Sequence, residues 1–220
     1  MKIYYQDSDI IVCKKEYGVS SQGHSGENMI DLLTEVCGTT PFVVHRLDIT
    51  TEGVMVYALN EKSASLLSSQ IANRTLEKHY LAVVHGVPEK SGEMTDLLWH
   101  DRYSNKSFVC ATKKPSAKEA RLEFSCLESI PYEDESLSLV KIHLLTGRTH
   151  QIRAQFSSRS FYLYGDGKYG AKDNDKIALF AHSLAFFHPR TGKRLAFSDL
   201  PSGRIWSRFS MLKASQEDSL

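Results

Sequence analysis

Short runs rich in Val, Ile, Tyr and Phe recur along the chain, and turn residues bound several of them. They predict strands at Lys2–Tyr5, Asp9–Lys14, Phe42–His45, Gly53–Leu59, His79–His85, Ser107–Ala111, Arg121–Leu127 and Leu137–Leu145. Two late runs, Ile177–Phe187 and Arg194–Phe197, predict further strands on either side of the turn His188-Pro189-Arg190-Thr191-Gly192. In Leu137–Leu145, Leu139, Lys141 and His143 alternate with Val140, Ile142 and Leu144, which predicts one buried and one wetter face.

Helical periodicity is rarer. Asn60 can cap a helix to about Ala72 with Ala64, Leu67 and Ile71 on one face. Gly26–Cys37 gathers Met29, Leu32, Leu33 and Val36, and a third helix starts near Thr149 and runs past Arg153. Strands outnumber helices without alternating regularly with them, so the pattern predicts an α+β fold with a mixed sheet. Residues 86–118 read as a surface excursion from that sheet.

The 220 residues fit one domain, here 1–213, with 214–220 as a frayed polar tail. Charge changes the picture little at first. The chain has 27 basic and 26 acidic residues, net +1, so any nucleic-acid affinity must come from local clustering. Cys13, Cys37, Cys110 and Cys126 form no C-x-x-C pair and read as reduced core thiols. The N-terminus lacks a signal-peptide layout and no apolar run is long enough to cross a bilayer, which predicts a cytoplasmic protein.

Three polar segments interrupt the apolar pattern. In VVHRLDITTEG (43–53), Asp48 leaves a strand beside Arg46; locally, a turn carboxylate paired with Arg46 fits better than a catalytic one. In RTLEKHYLAVVHG (74–86), Tyr80 fits an ordinary strand aromatic, or a ring that stacks on a base at a cleft rim. In LLTGRTHQIRAQF (144–156), Arg148, His150 and Arg153 gather near a helix start. From Lys141 to Lys168 five basic residues face Asp166 alone, a local +4 of the kind phosphate contacts use. No phosphate-cradling Gly-rich loop, hydrolase elbow or metal-ligand His spacing occurs, so no cofactor and no metal are expected.

Taken in order, the segments resemble the RluA-type family of RNA pseudouridine synthases. Its H-R-L-D-x-x-T-S-G is matched by His45 to Gly53, and its R-x-x-x-K-x-Y-x-A-x-V-x-G by Arg74, Lys78, Tyr80, Ala82, Val84 and Gly86. Its L-x-T-G-R-x-H-Q-I-R is matched from Leu144 to Arg153, and its G-D-x-x-Y-G by GDGKYG (165–170). Two departures stand out: Glu52 replaces the usual Ser, and Lys14-Lys15-Glu16-Tyr17-Gly18 stands where the family more often shows a Lys-Pro pair. Glu52 is expected to face solvent with little effect.

The resemblance implies the pseudouridine synthase fold, a bent, mainly antiparallel mixed sheet with flanking helices and a central cleft. It implies isomerisation of uridine in structured RNA, rRNA or tRNA, with the target base flipped into the cleft. Asp48 would act on the ribose, as nucleophile at C1′ or base at C2′. Arg153 would pair with Asp48, and Tyr80 would stack on the base. Arg46 would fill the vacated stack, and His45, Arg74, Lys78, Arg148 and His150 would contact RNA. With a strand-like run beginning at Lys2, the S4-type domain of several relatives is not expected here. A monomer is expected, and the competing function is a non-catalytic RNA-binding or RNA-folding module on the same scaffold.

Overall fold

The computed structural model describes residues 1–23, 26–112 and 114–217. In chain order its elements are β1 (Ile3–Gln6), β2 (Ile10–Lys15), α1 (Met29–Cys37), β3 (Phe42–Val43), β4 (Glu52–Ala58), α2 (Glu61–Ala72), β5 (Glu77–His85), β6 (Ser91–Asp101), β7 (Lys106–Cys110), β8 (Lys118–Tyr132), β9 (Glu135–Leu144), α3 (Gln151–Ser157), β10 (Leu179–Phe187), β11 (Arg194–Ser198) and α4 (Ser210–Glu217). Two compact units result, one of Met1–Lys78 with Ala181–Asp199, the other of His79–Phe180 with Leu200–Leu220.

In the first unit the strand order is β1-β2-β4-β10, with β3 on β4 and β11 on β10. The β2–β4 pairing is antiparallel, with Val12 opposite Val56. Its core joins Ile10, Val12, Val54, Val56, Leu184 and Phe186 with Leu67 of α2, and Ala64 and Ile71 pack against it, the helix face the periodicity predicts. Asn60 caps α2 by accepting the Ser63 N–H. The other predicted helix starts later, at Met29, because Asn28 accepts the Asp31 N–H; only Met29 and Leu33 are buried, and Val36 is exposed.

In the second unit the order is β5-β9-β8-β6-β7. Leu81, Val83, Leu137 and Leu139 face a core with Phe180, Trp206 and Phe209. Tyr80, Ala82, Val140 and Ile142 point to the other face, since successive strand residues alternate. The expected excursion contains a long strand, β6, whose polar positions Gly92, Glu93, Thr95 and Asp96 mask it in the sequence. Strand β8 runs beyond the predicted Arg121–Leu127 because a bulge between Cys126 and Glu128 breaks the alternation there. Of the four thiols only Cys13 is buried.

Candidate active site

Asp48 lies in the first unit, half-buried in the loop between β3 and β4. Where β3 ends at Val43, the His45 Nε2 accepts the Val56 N–H at 3.2 Å, so an imidazole replaces the next rung of the ladder. The chain then turns back through Thr51 N–H donating to the Asp48 carbonyl at 2.9 Å. On one side of Asp48, the Ser21 hydroxyl takes the Leu47 N–H at 3.0 Å and donates to the Leu47 carbonyl at 2.8 Å. On the other, the Ile49 carbonyl accepts from Gly18 N–H at 2.8 Å and from Lys15 Nζ at 3.2 Å.

Lys15 is fully buried, and its ammonium also reaches the carbonyls of Val19 at 2.7 Å and Glu16 at 3.0 Å. Three carbonyls use all three of its donors. Burial pulls its pKa down to about 8, while the charges of Asp48, Glu52 and Glu16 oppose that pull. Glu52 therefore does not simply face solvent: it is half-buried and contributes to the field at this ammonium. Lys15 is the neighbour of the Asp48 loop that sequence reasoning passes over, although a Lys ending the apolar run of β2 is the visible signal.

Gly53 closes the segment. Its φ is +130°, and an added Cβ would lie 2.3 Å from the Ala181 carbonyl oxygen, so the approach of β4 to β10 requires a glycine. His45 is neutral, because burial and then the nearby Lys78 charge push its pKa to about 3. Any contact it makes with RNA is therefore that of a neutral ring. Lys78 is itself held below the ordinary lysine range by burial. Arg46 and Arg74 are exposed, Arg74 in the left-handed region with φ 59°. His45 Nδ1, Thr50 Oγ1 and Thr51 Oγ1 are buried without a protein hydrogen-bond partner, and all three belong to the loop that carries Asp48.

The second unit holds Tyr80, Arg148, His150 and Arg153. Tyr80 is 6% exposed and sits in register with Ile142. Arg153 is buried on α3 and its guanidinium grips Asp166 with two bonds, Nε to Oδ2 and NH2 to Oδ1, both 2.7 Å. Its flat face lies 5.0 Å from the centre of the Tyr169 ring. Asp166 and Tyr169 both belong to GDGKYG, so that motif braces the arginine. The brace needs Gly165, where a Cβ would meet the Lys176 carbonyl oxygen at 2.3 Å.

Helix α3 begins from His150, which takes φ 52° as its N-cap. The Gln151 side chain orders the turn before it, accepting from Thr146 Oγ1 at 2.8 Å and Arg148 N–H at 3.0 Å. His150 is 8% exposed and its Nδ1 lies 3.1 Å from the Tyr169 hydroxyl, so the expected phosphate contact meets an inward-turned ring. Arg148 donates from Nε to the Glu119 carbonyl at 2.9 Å. The local +4 is smaller in space than in sequence: Arg159 is matched by Asp96, which lies outside that stretch, at 3.0 Å.

Among the described residues one cluster has metal-like proximity, Asp7, Asp9 and His188. The His188 Nδ1 accepts the N–H groups of Arg190 and Thr191, both at 3.1 Å. Its Nε2 therefore carries the proton and donates to Asp7 at 2.7 Å, while Arg190 Nε occupies Asp9. That leaves no imidazole lone pair for an ion, and the cluster is a clasp between two turns.

Comparison with known proteins gives a consistent result. Residues 9–158 match the model of the RNA pseudouridylate synthase family. The chain is 34% identical to the "uncharacterized RNA pseudouridine synthase YlyB" of Bacillus subtilis over 90% of its own length and 68% of that protein's. It is 28% identical to "ribosomal large subunit pseudouridine synthase C" of Buchnera aphidicola, over 88% and 65% of the two chains. Among solved structures, human "RNA pseudouridylate synthase domain containing 1" has the same fold, with a TM-score of 0.75 at 23% identity over 91% of this chain and 83% of that one.

Proposed function

The chain belongs to the RNA pseudouridylate synthase family, and from that premise we propose that it isomerises uridine in structured RNA, rRNA or tRNA, with Asp48 as the catalytic carboxylate. The N1–C1′ bond breaks, the uracil turns, and C5 joins C1′. The C5 proton leaves and N1 gains one, so no redox partner is required. Asp48 acts on the ribose, at C1′ or at C2′.

The observation that carries this reading is the bracing of the Asp48 peptide on both sides, by Ser21 at Leu47 and by Lys15 and Gly18 at Ile49. Such bracing fits a group that must meet a reacting atom within a fraction of an ångström. A binding module has no use for it. In the same reading Arg153, aimed by Asp166 and Tyr169, pairs with the Asp48 carboxylate and keeps it ionised when water is excluded. Tyr80 stacks on the target base. The unpartnered His45 Nδ1, Thr50 Oγ1 and Thr51 Oγ1 support a loop whose hydrogen bonds are completed by bound RNA.

Arg46 fills the space of the flipped base, and Arg74, Lys78 and Arg148 contact phosphates. The protein works as a monomer on cytoplasmic RNA. Mapping pseudouridine in total RNA with and without the gene tests the proposal: a position lost on deletion names the substrate, and an unchanged map favours the non-catalytic module.

A further inference from the structure

The β6–β7 hairpin carries chemistry that the isomerase site does not use. Trp99 and Phe108 lie opposite one another in its register, with ring centres 6.1 Å apart and planes inclined by 29°. Their neighbours in register, Leu98 and Val109, turn the other way, towards Ala120, Ala154 and Tyr169. Trp99 and Phe108 therefore stand on the outer face, where Phe108 is 41% exposed. With Cys110, Ala111, Thr112 and Lys114 they line an open groove of about 410 Å³.

Cations rim that groove. Lys114 Nζ sits 4.8 Å from the Trp99 ring centre, and Lys106 Nζ sits 5.6 Å from that of Phe108. From Leu97 to Lys118 the sequence carries Arg102, Lys106, Lys113, Lys114 and Lys118 against Asp101 alone, five minus one, a local +4 in a chain of net +1. Unlike Arg153 and Arg159, the described cations of the hairpin stand outside the ion pairs of this unit, which join His85, Arg121, His143, Arg153 and Arg159 to carboxylates. Asp101 instead closes the hairpin turn, accepting from Tyr103 and Ser104 N–H.

We propose that this groove is a second RNA site, binding unpaired nucleotides outside the target position by stacking a base on Trp99 and Phe108 while Lys106 and Lys114 meet the flanking phosphates. The proposal rests on the reading that the substrate is RNA. An aromatic pair rimmed by Lys114 and by Lys106, whose ammonium rests on the Lys168 carbonyl at 2.7 Å, suits a planar base on an anionic backbone, and stacking of this kind adds about 5- to 150-fold in affinity per base. The exposed Lys114 chain leaves the ring face when a base takes it and keeps its charge for the phosphate. Because a π-face is common to all four bases, the site selects unpaired RNA rather than a sequence.

Fluorescence reads the groove directly, since the chain has two tryptophans and Trp206 is 8% exposed in the core. Titrating a short oligouridylate should quench the emission of the wild type and of Trp206→Phe alike. Phe108→Leu, which keeps the apolar bulk, should weaken binding about 5-fold or more. Lys106→Gln and Lys114→Gln should each reduce the slope of log affinity on log salt by about 0.7. Lys114 is exposed, so its variant remains informative if Phe108→Leu folds poorly. Unmoved emission at saturating RNA, or wild-type affinity and slope in the folded variants, would overturn the proposal and leave the groove to a protein partner. Tritium release from 5-tritiated uridine in cellular RNA judges the isomerase separately. Release with unmoved Trp99 emission removes the groove alone, and quenching without release supports the groove while removing the isomerase.

Discussion

The Ser21 hydroxyl holds both backbone groups of Leu47, taking its N–H at 3.0 Å and donating to its carbonyl at 2.8 Å. Ser21 is 3% exposed and its own carbonyl accepts the Tyr57 hydroxyl at 2.9 Å, so the clamp is anchored in β4. The residue that follows Leu47 is Asp48. Ser21→Ala leaves two buried peptide groups unpaired, a cost of about 1–3 kcal/mol each at most. The expected outcome is a urea midpoint lowered accordingly and a kcat that falls more than KM rises, since the carboxylate loses its place rather than the RNA its grip.

Asp166 and Arg153 form a buried, two-pronged pair, and removing one partner strands the other's charge. Asp166→Ala should cost about 3–5 kcal/mol of stability, measured by denaturant unfolding, and should depress kcat as Arg153 loses its aim. Replacing both residues with apolar ones of similar volume should recover much of the stability and none of the activity.

These two braces mark where the sequence stops being informative. The α2 face and most strands follow from residue type and local period, and the HRLD, TGR and GDGKYG segments from the family resemblance. The partners do not. Ser21 and Leu47 are 26 positions apart, and Arg153 meets Asp166 across 13. The same blindness inflates the local +4, because Asp96 reaches Arg159 from β6, 63 positions earlier. β6 itself is hidden because only Met94 and Leu98 of its residues are buried, a spacing that mimics a helix. Nor does the sequence show that His45 accepts the Val56 N–H, 11 positions away.

Lys15 gives the activity an alkaline limit. Its folded pKa, about 8, lies below the ordinary 10.5, so between those values the unfolded chain binds more protons than the folded one. Stability from this group therefore rises with pH across that window, with a slope of at most about 1.4 kcal/mol per pH unit, and is flat below it. Activity runs the opposite way: above about 8 the ammonium beside Asp48 is lost, and with it one of three bonds to the loop carbonyls. A pH–rate profile should fall on that limb, and Lys15→Met should lower the plateau and erase the limb.

Gly53 admits no side chain. Gly53→Ala combines a φ of +130° with a contact of 2.3 Å to the Ala181 carbonyl oxygen. A loss of about 2–5 kcal/mol is expected, from backbone strain and forced separation of β4 from β10, and thermal unfolding would register it. Gly18→Ala, at φ +85° with no atom within 4 Å of the added carbon, should cost clearly less.

The most direct measurement is tritium release from cellular RNA labelled with 5-tritiated uridine, comparing wild type with Asp48→Asn. The substitution keeps the size and hydrogen-bonding outline of the side chain and removes its charge. Release by the wild type, none by the variant, and similar RNA affinity for both is the predicted result. Undiminished release by Asp48→Asn would contradict the role given to Asp48, and no release by the wild type from any RNA would contradict the isomerase itself.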